Sequence, residues 1–471
     1  MTKQQTALVL GLGRFGGGAA AARFLAAHGY LVRIADRSSG PDLDASKALL
    51  EGLPGIEFQL GREDEGLLDG VDLLVVNPGI PDQHPLLAAA QRRGIARTQE
   101  VNLFLEHYPG RVVAVTGTNG KSSTSTMLHA ALARAGFDAL LGGNIGHSLL
   151  DDEARWHKDQ VAVLEISSFQ LDRVDPSRHR VFGAVLTRIL KDHVDRHGTL
   201  EAYHRAKSVL PLLAESFCIH AADDPIACAM TTNAERFVYA SARPQKRSAG
   251  IDEGFLCVRI GDGEAERLVH EDALRMIGDF QRENALAAGL AARLCGGSAS
   301  SIGLALANVA PLPFRLQLLC TIDGVRIYDN AVSTEVESTR SALRNLKGRV
   351  HWVAGGKSKD GDYRTVAEAT APLVASAHVF GAAAEPLAAE LRAAFRAPGR
   401  SVTVHARIQE ALDAALLAST PGDALLFSPA FASFDQYPNF RARALEFHAW
   451  AASKRSPLGS AAPIAATSDD A

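Results

Sequence analysis

The chain has 471 residues, which at about 100–200 residues per domain predicts roughly three domains. Its 49 Lys and Arg residues against 53 Asp and Glu residues give a formal net charge of −4, so no basic surplus favours a nucleic-acid partner. Five scattered cysteines without a CxxC pair argue against a disulfide framework or a zinc site, and no run approaches the ~18 apolar residues of a membrane span. We expect a cytoplasmic, multidomain α/β enzyme without a nucleic-acid or membrane partner.

The N-terminal segment alternates short apolar strands with helices, which is typical of a parallel sheet. A predicted strand at 7–10 runs into the glycine turn Gly11–Gly16, and a helix is predicted at 19–28. The next strand, at 31–35, ends beside Asp36. Glycines between a strand and a helix let a pyrophosphate approach the helix N-terminus, and the acid can accept a hydroxyl hydrogen bond. The pattern predicts a Rossmann-like nucleotide-binding domain; a turn whose glycines serve only packing is the alternative.

A second glycine turn lies between a predicted strand at 111–116 and a predicted helix at 122–135. In its sequence GTNGKSS (117–123), backbone amides can surround phosphates, Lys121 can neutralise their charge and Ser122 can ligate Mg²⁺. Val115 stands where the full GxxxxGK[ST] pattern has its first glycine, so we predict a P-loop variant. A second nucleotide site weakens the interpretation of the first as part of a simple dehydrogenase.

Three polar positions follow the P-loop as an ordered set. Glu165 ends the predicted strand 161–165, His193 follows the next strand, and Lys207 lies on the predicted helix 200–213. Each has an ordinary explanation by itself, because acids at strand ends cap helices and single histidines or lysines are mostly solvated. As a set behind a P-loop, they indicate a centre that binds metal and phosphate.

The Pro-rich stretch 309–313 suggests a linker before a third α/β segment. Strands of that segment are predicted at 325–328, 350–354, 378–380 and 424–427. The last twenty or so residues contain few large apolar side chains and predict a mobile tail. We therefore expect domains at residues 1–110, 111–311 and 312–452, followed by a tail at 453–471.

Eight motifs in order carry a resemblance to a known family. They are VTGTNGKSS (115–123), GGNIG (142–146), LEISSFQLD (164–172), DHVDRH (192–197) with YHRAK (203–207), LPFR (312–315), GGKSKDGDY (355–363) and SPAFASFDQYPNF (428–440). The chain resembles the ATP-dependent Mur ligases of peptidoglycan synthesis, and LEISSFQLD and SPAFASFDQ resemble their D-glutamate-adding members. The resemblance implies a monomer with a Rossmann-like N-terminal domain, a central parallel-sheet P-loop ATPase domain and a Rossmann-like C-terminal domain.

The resemblance also implies a reaction and its residues. ATP would phosphorylate the L-alanyl carboxylate of UDP-N-acetylmuramoyl-L-alanine, and the amine of D-glutamate would attack the acyl phosphate. The implied UDP-substrate contacts are Gly13, Arg14, Phe15, Asp36, Arg37, Asn77 and Gly79. The implied ATP contacts are Gly117, Thr118, Asn119, Gly120, Lys121, Ser122, Ser123, Asn284, Arg315 and Asn330.

Metal and amino-acid ligands follow from the same resemblance. Ser122 and Glu165 would hold one Mg²⁺, and His193 with a carbamylated Lys207 would hold a second. Asn144 would contact the substrate near its reacting carboxylate, and Lys121 would offset charge on the transferring phosphoryl group. The implied amino-acid contacts are Thr334, Lys359, Ser433, Phe434 and Phe440, with core packing as the alternative for the two aromatic residues.

Several positions depart from the family pattern. The family's NDSKAT stretch is DNAVST here (329–334), so Asn330 replaces an acid and Val332 a lysine. Phe314 replaces a histidine, Arg188 an asparagine, and Phe280-Gln281 the pair His-Asn. These departures spare the P-loop, so we expect catalysis to persist with altered nucleotide affinity or amino-acid choice, such as L-glutamate. An NAD-dependent oxidoreductase, a folylpolyglutamate-type ligase and a non-catalytic paralogue remain alternatives.

Overall fold

The computed structural model describes residues 4–13, 16–358, 361–396 and 398–454. It divides into two compact units. The first unit contains the chain up to Leu274 together with Phe280–Val309, and the second contains Arg275–Asp279 and the residues from Ala310 onward. Within the described ranges, the strands form three sheets, two in the first unit and one in the second.

The N-terminal sheet of the first unit is parallel. Its strands are β1 (Thr6–Leu10), β2 (Leu31–Asp36), β3 (Ile56–Leu60), β4 (Leu73–Val76) and β5 (Ala96–Thr98), in the order β3-β2-β1-β4-β5. The helices of this part are α1 (Gly17–Ala27), α2 (Asp44–Ala48), α3 (Pro85–Arg92) and α4 (Glu100–His107). The order reverses between β1 and β4, and ligands of such sheets bind at the carboxyl ends of the strands at this switch point.

The central sheet carries the P-loop. Its strands are β6 (Arg111–Thr116), β7 (Ala139–Gly143), β8 (Val161–Glu165), β9 (Val181–Leu186), β10 (Ala214–Ala221), β11 (Glu235–Tyr239), β12 (Ser248–Asp252), β13 (Phe255–Arg259) and β14 (Glu266–His270). The strand order is β14-β13-β12-β11-β10-β9-β6-β8-β7, antiparallel from β12 to β14 and parallel elsewhere. The accompanying helices are α5 (Lys121–Arg134), α6 (Ser168–Leu171), α7 (Val194–His197), α8 (Leu200–Leu213), α9 (Pro225–Ala229), α10 (Asp279–Leu294) and α11 (Ala299–Asn308).

An apolar and aromatic cluster joins the two sheets of the first unit. Phe24 of α1 lies 6.2 Å from Trp156 and Phe104 of α4 lies 5.6 Å from it, measured between ring centroids. Arg23 of α1 also donates two hydrogen bonds to the carboxylate of Asp151, at 3.2 and 2.6 Å. Residues of both sheets therefore share one core, which fixes the N-terminal sheet against the central one.

The second unit is built on a third sheet. Its strands are β15 (Gln317–Ile322), β16 (Val325–Asp329), β17 (Val350–Gly355), β18 (Ser376–Phe380), β19 (Ser401–His405) and β20 (Ala424–Ala430), in the order β15-β16-β20-β17-β18-β19. Its helices are α12 (Val336–Asn345), α13 (Tyr363–Thr370), α14 (Ala384–Ala394), α15 (Ile408–Ala418) and α16 (Phe440–Ser453). β15 pairs with β16 antiparallel and the other pairs are parallel. β17 and β20 are buried throughout because helices cover both faces of a parallel sheet.

The predicted α/β class with three parallel-sheet domains is confirmed. The antiparallel strands β12 to β14 are an addition that the sequence analysis did not predict. The glycines of Glu253-Gly254 and Gly261-Asp262-Gly263, which connect these strands, are turn signals that could have marked the two hairpins. Residues 455–471 of the predicted tail lie outside the described residues. Among the helices that the structure describes, none has the length and apolar character needed to cross a bilayer.

Candidate nucleotide and metal site

The P-loop joins the carboxyl end of β6 to the N-terminus of α5. Gly117 and Gly120 have φ angles of 152° and 87°, a region that L side chains rarely adopt. Gly120 occupies the N-cap of α5, which has no side-chain cap and no acid in its first turn. The first amides of α5 are thus available to an anion, and Lys121 stands at the same helix end.

Two segments distant in sequence hold the P-loop in place. Thr187 Oγ1 donates to the carbonyl oxygen of Asn119 at 2.6 Å, and the Thr118 amide donates to the carbonyl oxygen of Arg188 at 2.8 Å. On the other side, Thr124 Oγ1 donates to Asn284 Oδ1 at 3.2 Å. A Cβ atom on Gly120 would overlap with this same Asn284 amide, so only glycine fits at position 120 while Asn284 keeps this position. The structure therefore brings the predicted ATP contact Asn284 against the loop.

Glu165 lies at the carboxyl end of β8, beside the P-loop strand β6. Its side chain is 1 % exposed, and Oε1 accepts a hydrogen bond from Asn144 Nδ2 at 2.9 Å. Oε2 is buried and has no hydrogen-bond partner among the described residues. An unpaired buried carboxylate oxygen is costly, so this atom is suited to a cation such as Mg²⁺, which prefers oxygen ligands.

Lys207 of α8 is 1 % exposed, and its side chain contacts the first residues of the P-loop. Its Nζ donates to the carbonyl oxygen of Gly117 at 2.8 Å and to Thr116 Oγ1 at 3.4 Å. Lys121 Nζ donates to the same Gly117 oxygen at 3.0 Å and to that of Thr118 at 2.9 Å. Burial, together with the neighbouring Lys121 cation, holds the pKa of Lys207 well below its usual value. Both effects shift the equilibrium of Lys207 toward its neutral amine.

His193 lies in a group of rings beside the P-loop, on a backbone with a φ angle of 49°. Its ring centroid is 4.9 Å from Phe169 and 6.2 Å from Tyr203, and Asp192 Oδ2 lies 3.4 Å from its Nε2. Tyr203, to which the sequence assigned no role, has its hydroxyl 2.7 Å from Thr118 Oγ1 and its ring 4.9 Å from Lys207 Nζ. Its position in YHRAK, four residues before Lys207, is the signal that could have identified it.

No group of three or more His, Cys, Asp or Glu side chains that could hold a metal ion occurs in the described part of the chain. Glu165 and Lys207 are both buried next to the P-loop, whereas the imidazole of His193 is exposed. Ser122, the other predicted metal ligand, is in the first turn of α5 and half-buried. The structure thus brings Lys121, Ser122, Glu165 and Lys207 to one edge of the central sheet, with His193 beside them.

The predicted UDP-substrate residues meet at the switch point of the N-terminal sheet. The Gly13 amide donates to Asp36 Oδ2 at 3.3 Å, and a Cβ atom on Gly13 would meet the amide of Asn77. Asn77 Oδ1 in turn accepts from the Gly79 amide at 2.9 Å. Gly13, Asp36, Asn77 and Gly79 are therefore neighbours, with the exposed Arg37 next to them in sequence. Arg14 and Phe15 lie outside the described residues.

Two arginines of the central part hold the loop that carries Asn77. Arg173, after α6, donates to the carbonyl oxygens of Asn77 and Ile80 at 3.0 and 2.5 Å and to the Asp82 carboxylate at 2.7 Å. Arg196 of α7 donates to the carbonyl oxygens of Pro78 and Ile80 at 3.1 and 2.6 Å. Sequence reasoning missed both, because nothing local marks an arginine that binds backbone about 100 residues away.

The second unit carries the remaining predicted contacts. Asn330 is buried, its Nδ2 donates to Ser428 Oγ at 3.0 Å and its Oδ1 accepts from the Leu316 amide at 3.3 Å, so this amide is turned into the unit. Ser433 is buried, whereas Phe434 is 73 % exposed and is not a core aromatic. Phe440 is half-buried with its ring centroid 6.0 Å from that of Phe314. Thr334 is half-buried, Arg315 begins the segment before β15, and Lys359 lies outside the described residues.

Two departures from the family pattern have structural partners. Arg188 donates to both carboxylate oxygens of Glu283, at 2.8 and 2.6 Å, and also pairs with Asp223 at 2.8 Å, and these acids raise its pKa. This chain has an acid one residue before the position where the family pattern has it, at Asp329 rather than at 330. Asp329 is fully buried, and its Oδ2 lies 2.6 Å from Nε2 of His448 on helix α16. The structure gives no account of Val332.

A P-loop beside a buried carboxylate and a buried lysine, in a chain of three α/β sheets, defines an enzyme that activates its substrate with a nucleoside triphosphate. The chain matches the MurD-like N-terminal domain of Mur ligases over residues 5–98, the Mur ligase middle domain over 115–292 and the glutamate ligase domain of Mur ligases over 314–431. It is 34 % identical over 454 residues to the UDP-N-acetylmuramoylalanine–D-glutamate ligase of Acidobacterium capsulatum, covering 94 % of this chain and 95 % of that one. It is 33 % identical to the ligase of the same name from Geobacter metallireducens, covering 94 % and 96 %.

Solved structures share the fold at lower identity. A pseudomurein peptide ligase type C from Methanothermus fervidus superimposes with a TM-score of 0.59 at 18 % identity, over 96 % of this chain and all of that one. The UDP-N-acetylmuramate–alanine ligase MurC from Thermotoga maritima gives 0.61 at 15 % identity, with the same coverage. The chain belongs to the Mur ligase family and groups with its UDP-N-acetylmuramoylalanine–D-glutamate ligases, as the motifs predicted.

Proposed function

We propose that the protein is an ATP-dependent, ADP-forming amide ligase that joins D-glutamate to UDP-N-acetylmuramoyl-L-alanine in the cytoplasmic synthesis of peptidoglycan precursors. Two named D-glutamate ligases that are 33–34 % identical over nearly the whole chain support this activity. The single observation that carries the chemistry is the convergence of Lys121, Lys207 and the unpaired Glu165 oxygen around the P-loop. We further propose that the enzyme acts as a monomer, without a nucleic-acid or membrane partner.

In this proposal, residues 1–110 bind the uridine diphosphate part of the substrate. Gly13, Asp36, Asn77 and Gly79 form the neighbouring turns that support it, and the amides of such turns can donate to a pyrophosphate. Arg14, Phe15 and Arg37 complete this set. Residues 111–311 bind ATP at the P-loop, and residues 312–452 hold the amino acid through Thr334, Lys359, Ser433, Phe434 and Phe440.

The reaction begins with attack of an L-alanyl carboxylate oxygen on the γ-phosphorus of ATP, which breaks the bond to ADP and forms an acyl phosphate. Lys121 and the amides of the P-loop bind the phosphates and offset their charge. Asn144, fixed by its hydrogen bond to Glu165, orients the carboxylate. Mg²⁺, held by Ser122 and Glu165 and by His193 and a modified Lys207, would supply positive charge to the phosphoryl oxygens. The glutamate amine then attacks the acyl carbon, loses a proton and displaces phosphate.

Lys207 is proposed to carry a carbamate. A neutral amine can attack carbon dioxide, forming an N–C bond, moving the C=O electron pair onto oxygen and releasing a proton. The buried position of Lys207 beside Lys121 disfavours the ammonium form and so favours this neutral amine, which carbamylation would convert into an anion. An anion at this place is attracted by Lys121 and can serve as an oxygen ligand of Mg²⁺.

The carbamate predicts that Lys207→Ala is nearly inactive and is partly rescued by formate or acetate, because a short carboxylate can occupy the space of the missing group. Rescue is measured as phosphate release over a range of added carboxylate, with equal concentrations of chloride as the control. Lys207→Arg keeps a long basic side chain but cannot be carbamylated in this way, so it should stay inactive. Activity of Lys207→Arg close to that of the wild type would contradict the carbamate.

The overall activity is tested by phosphate release from ATP and Mg²⁺ with UDP-N-acetylmuramoyl-L-alanine, comparing D-glutamate, L-glutamate and no amino acid. Release that depends on D-glutamate supports the proposal. Preference for L-glutamate would indicate that the DNAVST segment (329–334) alters the choice of amino acid. The absence of release with every amino acid would overturn the ligase, and an NADH titration would then test the dinucleotide interpretation of the glycine turn.

A further inference from the structure

Arg443 is a completely buried cation at the start of helix α16. Its side chain is 0 % exposed and ranks among the largest fully buried side chains of the described residues. Nη1 donates to the carbonyl oxygen of Gly355 at 3.0 Å and Nη2 to that of Phe431 at 3.0 Å. Its Nε is buried without a partner among the described residues. The guanidinium is thus held by two backbone carbonyls rather than by an ion pair with a carboxylate.

The two carbonyls belong to the ends of neighbouring strands. Gly355 is the last residue of β17, Phe431 follows β20, and the two strands pair in parallel. Beyond them the chain continues as two segments that we call the β17 loop (355–358) and the β20 loop (431–435). Ligands of α/β sheets bind at this carboxyl edge, so Arg443 lies directly beneath a ligand-binding edge.

Other contacts join the two loops above Arg443. The Lys357 amide donates to the carbonyl oxygen of Ala432 at 2.8 Å, and the Ala432 amide returns a bond to that of Lys357 at 3.2 Å. Asp435 Oδ2 accepts a hydrogen bond from the Ala382 amide at 2.9 Å, which connects the β20 loop to the turn after β18. A Cβ atom on Gly356 would meet both Ala432 and Arg443 Nη1, so the backbone must pass this close to the guanidinium. Arg443 is therefore part of the framework that sets the position of both loops.

The charge of Arg443 has a cost that an acidic ligand would reduce. Burial lowers the pKa of Arg443 to about 10, which shows how strongly this environment opposes an isolated cation. Asp435 is the acid that acts on it most, but forms no ion pair with it in the described structure. Glutamate brings two carboxylates at neutral pH, and a buried positive charge under its binding edge attracts them through a medium of low dielectric constant.

We propose that Arg443 is a positioning residue for the incoming amino acid. Arg443 orders the backbone of the β17 and β20 loops through its hydrogen bonds, and its buried positive charge favours an acidic amino acid. This inference rests on the proposed function, because the β20 loop contains Ser433 and Phe434 and the β17 loop directly precedes Lys359 in the sequence. Arg443 itself does not touch the substrate in this scheme. Its effect should fall on the affinity for glutamate and not on the phosphorylation of the first substrate.

The test compares Arg443→Met, Arg443→Lys and Arg441→Met, the last being an exposed arginine on the same helix. Steady-state phosphate release gives KM for D-glutamate, for ATP and for UDP-N-acetylmuramoyl-L-alanine. We expect Arg443→Met to raise KM for D-glutamate about tenfold or more and to leave the other two within about twofold, since each tenfold corresponds to about 1.4 kcal/mol of binding. Arg443→Lys should recover part of the loss because it keeps the charge but reaches fewer acceptors. Arg441→Met should behave like the wild type.

A second readout separates this inference from the proposed function. Hydroxylamine attacks an acyl phosphate at carbon and displaces phosphate, so hydroxamate formation from ATP and the UDP substrate requires no amino acid. Arg443 variants should form hydroxamate at the wild-type rate. Failure of the wild type to form hydroxamate or to respond to D-glutamate would refute the ligase itself. A normal KM for D-glutamate in Arg443→Met, or an equal loss in hydroxamate formation and glutamate affinity, would overturn the role of Arg443. If Arg443→Met does not fold, the same two measurements on Arg443→Lys decide.

Discussion

Protonation of His378 is expected to destabilise the second unit as the pH falls below about 6.5. His378 is 3 % exposed on β18, in a line of hydrogen bonds that crosses three neighbouring strands. The line runs from Asp423 to His351 (3.1 Å), Ser376 (2.8 Å), His378 (2.8 Å), Thr403 (2.9 Å) and the half-buried His405 (2.7 Å). Burial above all, together with the neighbouring His405 and His351, lowers the pKa of His378 from 6.5 to about 4. The folded unit therefore holds this histidine neutral.

The sign and size of the effect follow from proton linkage. The unfolded chain binds the proton near pH 6.5 and the folded unit only near pH 4, so unfolding takes up a proton between these values. The free energy of unfolding is unaffected well above pH 6.5 and falls as the pH is lowered. The loss amounts to about 2 kcal/mol at pH 5 and about 3 kcal/mol at pH 4, and it levels off at lower pH. Burial also lowers the pKa values of His351 and His405. Asp423 and Glu410 oppose this lowering but do not reverse it. Protonation of His351 and His405 therefore also lowers the free energy of unfolding, as protonation of His378 does.

The assay uses tryptophan fluorescence as a probe of the second unit alone. Of the three tryptophans, Trp352 and Trp450 are buried in that unit and Trp156 is in the first, so the measurements are made in a Trp156→Phe background. Urea unfolding at pH 8, 6 and 5 gives the free energy of unfolding of the second unit from the midpoint and slope. His378→Gln keeps a hydrogen-bonding amide but cannot titrate, so most of the acid-dependent loss should disappear. His157→Gln, an exposed histidine of the first unit, is the control.

The reasoning would be refuted if His378→Gln and its parent lost the same free energy between pH 8 and pH 5. It would also fail if the midpoint of the parent did not change over this range. A change in slope rather than in midpoint would show that the denatured state is affected instead of the buried histidine.

The first-unit geometry gives two further predictions. Arg173→Met should raise KM for the UDP substrate at least fivefold and leave KM for ATP unchanged, because it removes charged donors that are worth about 1.5–3 kcal/mol each from the Asn77–Asp82 loop. Arg178→Met, at a side chain that is 68 % exposed, is the control, and equal effects of both variants would contradict the role of Arg173. Gly120→Ala should raise KM for ATP at least tenfold, because its Cβ displaces Asn284. The control is Gly136→Ala, which has nearly the same φ angle (91° against 87°) but no atom within 4 Å of its Cβ, and should leave KM for ATP unchanged. Similar ATP affinity in the two alanine variants would show that backbone strain alone is responsible.

Much of the fold and of the phosphate chemistry could be predicted from the sequence because the signals are local. A strand, a glycine turn and a helix are specified by neighbouring residues, and both such turns, at Gly11 and Gly117, lie where they were predicted. The chain order of Lys121, Glu165 and Lys207 also indicated one centre, since they follow a P-loop strand and its successors. The family and fold class inferred from these motifs are confirmed.

Other features depend on which strands become neighbours, and only the tertiary structure decides that. Lys121 and Lys207 share the carbonyl oxygen of Gly117 because β6 lies between β8 and β9, an order that no local pattern encodes. Arg173 donates to the carbonyl oxygen of Asn77, which is 96 residues away in the sequence. Arg443 donates to the carbonyl oxygens of Gly355 and Phe431, at the ends of β17 and β20, which are 88 and 12 residues away. The sequence by itself thus determined the elements, the glycine turns and the family. The lowered pKa of Lys207 and the buried charge of Arg443 were decided by packing, because desolvation depends on every residue that excludes water and not on neighbours in the chain.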